Sequence, residues 1–139
     1  MLVVLDGSVL VAGFRSRRGA SFRALELLRD DRFRIAMSVA LALEYEAVLV
    51  RHARELDLSR AEATGLVDFL CGIGSHHDVH FLWRPTLRDP RDEFILELAV
   101  ASAAQAIVTQ NVRDFRGADA FGIRVVVPAV FLRLIEEAS

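Results

Sequence analysis

At 139 residues and 53% apolar side chains, the chain is long enough to bury a core, and we read residues 1–139 as one domain. Seventeen basic residues against nineteen acidic ones leave a net charge of −2, which excludes a globally cationic nucleic-acid binder. No apolar run approaches the roughly 18 to 20 residues of a membrane span, no secretory signal opens the chain, and the single Cys71 permits no internal disulfide, so a cytoplasmic protein without a membrane partner is expected.

Residues 2–5 (Leu-Val-Val-Leu) read as a short buried strand that ends at Asp6-Gly7-Ser8. Phe22, Leu25, Leu27 and Leu28 recur at helical spacing within residues 20–30. Phe33 to Met37 is a second strand, and Ser38 caps a helix running to about Arg51. Ser59 with Glu62 makes a capping box for a helix reaching about Gly72. Val79 to Trp83 is the expected third strand.

Asp89-Pro90 opens a long helix to about Ala104, with proline suited to the first helical position. Residues 106–109 form a fourth strand and Ile123 to Val127 a fifth, after which Pro128 starts a last helix ending near Glu137. Alternating strands and helices predict an α/β fold, a three-layer sandwich with a parallel sheet of about five strands.

In such a sheet, ligands bind beyond the carboxyl ends of the strands. Asp6 leaves the core there, although an Asp before Ser8-Val9-Leu10 is also an ordinary helix cap or turn residue. Glu44 shares a helix face with Leu41 and Val48, an expensive place for an unpaired carboxylate, and Glu46 is its rival. Asp92 and Glu93 complement the positive end of a helix dipole, which explains them structurally as well. Asn111 and Asp114 follow the fourth strand and offer one neutral and one charged oxygen. Carboxylates brought together repel one another unless a divalent cation lies between them. The set therefore predicts an acidic metal site, and phosphodiester hydrolysis is its natural chemistry.

All 17 basic residues are arginine, whose fork suits phosphate, but a genome-wide codon bias would produce the same count, so position is the better guide. Arg15, Arg17 and Arg18, on the loop expected after strand one, lie at the rim of the crevice, and Arg88, Arg91, Arg113 and Arg116 have a similar position. His76, His77 and His80 raise a zinc reading, yet no Cys or second His cluster stands at matching spacing. A polar turn before a strand accounts for them.

In order, five segments resemble the PIN domain, in particular bacterial toxin components of toxin–antitoxin pairs. Val4 to Val11 resembles the family's opening strand and Asp-Thr-Asn turn, and Ser38 to Leu49, with Glu44-Tyr45, its Glu-Tyr helix. Arg88 to Ala99 resembles its Asp-Pro-x-Asp helix start, and Ile107 to Phe115 its Thr-x-Asn-x-x-Asp-Phe loop. Pro128 to Leu132 is similar to its closing helix. The resemblance covers nearly the whole chain and favours Glu44 over Glu46. It implies strand order 3-2-1-4-5, and Mg²⁺ or Mn²⁺ held by Asp6, Glu44, Asp92, Asn111 and Asp114, the first three catalytic. It also implies an RNA substrate, a cognate antitoxin as partner, and a homodimer; by their expected position at the crevice, Ser8, Arg15, Arg17, Arg18, Arg91 and Arg113 are the residues that would meet the RNA.

Gly7 and Ser8 stand where the family has Thr and Asn, so weaker support for Asp6 is expected, and Arg91 replaces a residue often acidic. Those departures carry the rival reading, a degenerate module that grips RNA or protein without turnover. A phosphotransfer domain with Asp6 as nucleophile would need an Asp-x-Asp after strand one and a suitable Lys, and this chain has neither.

Overall fold

A computed structural model describes residues 1–79 and 92–138. Five strands form one parallel sheet in the order β3-β2-β1-β4-β5, with β1 Leu2–Leu5, β2 Arg34–Met37, β3 Ser75–His76, β4 Ala106–Val108 and β5 Arg124–Val126. Helices α1 (Gly7–Arg15), α2 (Ala20–Arg29), α3 (Val39–Arg51), α4 (Arg60–Ile73), α5 (Glu93–Ser102) and α6 (Pro128–Ala138) flank it as a three-layer α/β/α sandwich.

β1 is the central strand, paired with β2 through Val3 and Ile35 and with β4 through Val4 and Ile107. Val3, Val4, Leu5, Ile107 and Val108 are wholly buried, as strands covered on both faces must be. Helix α5 packs on β1, β2 and β4. Phe33 meets Phe131 of α6 edge to face at 4.8 Å, which fastens the last helix to the entry of β2.

Local signals act as the residues suggest. The Ser38 hydroxyl accepts the Leu41 amide at 3.1 Å, and Ser59 and Glu62 exchange both bonds of a capping box. Two elements differ from expectation. Residues 7–15 form α1 where a loop is expected, because Val9, Leu10 and Val11 turn into the core and Gly13 lets α2 approach. A β-carbon on Gly13 would lie 2.8 Å from Leu25 Cδ1. The third strand is Ser75–His76, an edge of two residues in which the polar turn was expected. Most of the expected strand Val79–Trp83 lies outside the described residues, as do His80, Arg88, Asp89, Pro90 and Arg91.

Candidate active site

The sheet order reverses direction at β1, between β2 and β4, and the carboxyl end of that junction is where an open α/β sheet binds ligands. A groove of about 490 Å³ opens there, lined by Asp6, Gly7, Ser8, Asp92, Asn111 and Asp114, with Arg15 and His52 among its other walls.

Asp6 continues the β1–β4 ladder one residue past the strand, its amide donating to the Val108 carbonyl at 2.9 Å. It occupies the N-cap of α1, yet its side chain makes no capping hydrogen bond. Instead Oδ2 accepts from the Ser8 hydroxyl at 2.7 Å and from the Thr109 hydroxyl at 2.8 Å. Each hydroxyl accepts in turn: Ser8 Oγ from the Gln110 amide at 3.1 Å, and Thr109 Oγ1 from the Asn111 amide at 3.0 Å. The circuit orients the carboxylate and the loop that carries Asn111 with the same four bonds. Gln110 Nε2 also donates to Ser21 Oγ at 2.6 Å, tying that loop to α2.

Tyr45 on α3 anchors the same corner from below. Its hydroxyl donates to the Leu5 carbonyl at 2.6 Å, one residue before Asp6. Complete burial, and then the negative charge of Asp6, push the Tyr45 phenol well above its ordinary range, so it remains a donor. Val48, one turn on, packs where Gly7 has no side chain; a β-carbon there would stand 3.3 Å from Val48 Cγ2. The close approach is a local reason for glycine at this position. Ser8, with Thr109, supplies the hydroxyl contacts to Asp6.

The expected acids divide. Asp6, Asp92, Asn111 and Asp114 share the groove, while Glu44 is half-buried on α3 and does not line it. Asp92 stands at the N-cap of α5, and Asp114 lies in the 3-10 turn Val112–Phe115, whose Phe115 is buried. Of the arginines, Arg15 reaches the groove from the last turn of α1, a helix rather than the expected loop. Arg17 lies over the Phe22 ring at 5.9 Å, and Arg17, Arg18 and Arg113 are exposed away from the groove.

Residues 2–113 match the model of the PIN domain. The chain belongs to the PIN domain family. Comparison with curated proteins and with solved structures finds no match. Asp6, Glu44, Asp92 and Asn111 fall within the matched span, and Asp114 lies one residue beyond it. The PIN fold is a nuclease-type fold, and this PIN domain builds the corner of its groove from Asp6, Ser8 and Thr109.

Gln110, Ser21 and His52 were not legible as site residues. Tyr45 carried a signal in the Glu44-Tyr45 pair, and Thr109 did too, since a polar residue ending an apolar strand run must leave the core beside the neighbouring strand's tip.

Proposed function

We propose that this PIN domain is a divalent-metal-dependent endoribonuclease that hydrolyses RNA phosphodiester bonds, the toxin of a type II toxin–antitoxin pair. The observation that carries the reading is Asp6. It is a carboxylate at a helix N-cap that caps nothing, with one oxygen held by two hydroxyls, in a groove shared with Asp92, Asn111 and Asp114.

The donor set suits a hard cation such as Mg²⁺ or Mn²⁺. Among the described residues no three His, Cys, Asp or Glu side chains are grouped to hold an ion outright. Mg²⁺ keeps several waters and takes only one or two carboxylates directly, so in this reading the ion is held partly through water. When bound, the ion supplies an acidified water and a charge that polarises the scissile phosphate.

The chain's own residues do the rest. Ser8 and Thr109 hold Asp6 in one orientation. Asp92 and Asp114 add negative charge and Asn111 a neutral oxygen, with Glu44 acting from α3 through water. Ser8 and Arg15 meet the RNA at the groove, Arg17, Arg18 and Arg113 meet it farther along the backbone, and Arg91 is a further phosphate contact in this reading. A cognate antitoxin and a homodimeric assembly accompany this reading through the family resemblance alone.

The test is cleavage of single-stranded RNA in Mn²⁺. Wild-type protein should cut, stop in EDTA, and lose about 10²–10³-fold in rate in both Asp6→Asn and Asp92→Asn, the several kcal/mol of charge stabilisation a displaced ion withdraws. Activity that persists in EDTA and in Asp6→Asn overturns the reading. Tight RNA binding without turnover by the wild type would establish the non-catalytic module instead.

A further inference from the structure

The groove has a second chemical feature besides the acids. Arg15 ends α1 and His52 ends α3, and Glu55, in the turn that follows, bridges them. Glu55 Oε1 accepts from Arg15 Nε at 2.6 Å and pairs with Nη2 at 2.5 Å, while Oε2 lies 3.1 Å from His52 Nδ1. One carboxylate thus orients both a guanidinium and an imidazole, and both of those residues line the groove. Glu55 itself does not line it.

The bridge determines what each group can offer. Hydrogen bonds from His52 first and Arg15 second hold the Glu55 carboxyl below its ordinary range, so it is ionised and can only accept. Nδ1 of His52 must therefore carry the proton. In the neutral ring that leaves Nε2 as an acceptor, on the edge of the imidazole away from Glu55. Arg15 engages Glu55 through Nε and Nη2, which leaves Nη1 for a second anion. A phosphate-reading donor and a hydroxyl-reading acceptor stand side by side.

A nucleic-acid backbone presents phosphates in either sugar series, but its internal residues present a hydroxyl donor only when the sugar is ribose. We propose that Arg15 and His52, oriented by Glu55, form a ribose-phosphate subsite in which Arg15 contacts a phosphate and His52 Nε2 accepts the adjacent 2′-hydroxyl, so that the groove selects RNA over DNA. The inference rests on the nuclease reading for the identity of the groove's occupant, and it adds the residue that discriminates the sugar. His52 is a positioning and specificity residue here; it takes no part in bond breaking.

The experiment measures binding of one fluorescein-labelled single-stranded sequence, as RNA and as its 2′-deoxy counterpart, by fluorescence anisotropy in the non-cleaving Asp6→Asn background with Mg²⁺. That background should bind RNA about tenfold more tightly than DNA, roughly what one hydrogen bond contributes. His52→Ala should weaken RNA binding to the DNA level and leave DNA binding unchanged, and His52→Gln, which keeps an acceptor, should restore part of the preference. Arg15→Ala should weaken both strands alike. A preference unmoved by His52→Ala, or no binding of either strand, overturns the subsite. Cleavage by the wild type, assayed in parallel in Mn²⁺, separates the two claims. Metal-dependent cleavage with an unmoved preference sinks the subsite alone, whereas a moved preference without cleavage sinks the nuclease reading alone.

Discussion

The two walls of the groove are built on different physical terms. At the Asp6 corner, position follows from backbone ladders: the Asp6 amide reaches Val108, the Thr109 amide reaches Val126, and the side chains that follow have little freedom. Thr109 is wholly buried and both corner hydroxyls donate and accept. At the Arg15 wall, the side chains of Arg15 and of its partner Glu55, which itself stands off the groove, are about half exposed, at 54% and 48%, and meet across the ends of two helices. The first wall gains orientation from burial and gives up adjustability. The second holds its charges in water, where attraction is weak, screened by salt and easily rearranged to suit a ligand.

The sharpest way to break that comparison is Thr109→Val, which keeps the shape and removes the donor to Asp6 Oδ2 and the acceptor for the Asn111 amide. If Asp6 is the metal ligand proposed above, loss of a hydrogen bond that orients it should lower Mn²⁺ affinity about 10–100-fold. Titration of bound Mn²⁺ by electron paramagnetic resonance, without RNA, checks it. Thr109→Ser should recover most of the loss, and an unchanged affinity in the valine variant would show that the corner is merely well packed.

Tyr45→Phe comes next. It removes a buried donor and strands the Leu5 carbonyl, which should destabilise the fold by about 1–3 kcal/mol in urea unfolding. The pH dependence has a definite sign. The folded phenol is raised above its unfolded value, so the unfolded chain loses its proton first and stability falls as pH climbs past about 10. The phenylalanine variant should lack that part of the alkaline loss. Equal alkaline slopes in the two proteins would contradict the assignment.

The contrast between the walls also explains what could be read from the chain. β1, the Ser38 cap and the Ser59–Glu62 box are local, set by neighbours within a few residues, and they appear where the residues place them. Helix α1 was hidden because Val9-Leu10-Val11 reads equally well as strand, and only packing against α2 and α3 decides. β3 was hidden because an edge strand of two residues needs no apolar pattern: His77 simply donates its amide to Met37 at 2.9 Å. Asp6 was legible as a groove residue, since the carboxyl end of every strand in a parallel sheet faces the side where ligands bind. Glu44 shows the limit of helix periodicity. Tyr45 takes the inward place on α3, and its neighbour is left half-buried off the groove. The Arg15–Glu55–His52 bridge joins residues 37 and 40 positions apart in the chain through side chains alone, and no local pattern announces it.

The smallest expected effect lies at that bridge. Glu55→Gln should leave the urea midpoint where it is, because an exposed ion pair such as Arg15–Glu55 contributes little to stability. Its consequence should appear only when Arg15 and His52 are asked to hold a ligand, and only at low ionic strength. Repeating the RNA anisotropy titration at about 0.05 M and 1 M salt should show weaker binding than wild type in the first and convergence in the second, as the Debye length falls to about 3 Å. Glu55 is depressed in the folded state, so what it adds is present above the ordinary glutamate range and is lost as pH falls below it. A Glu55→Gln protein that unfolds early at neutral pH would mean that the outer wall, like the inner one, is built for stability, and the distinction between the two would disappear.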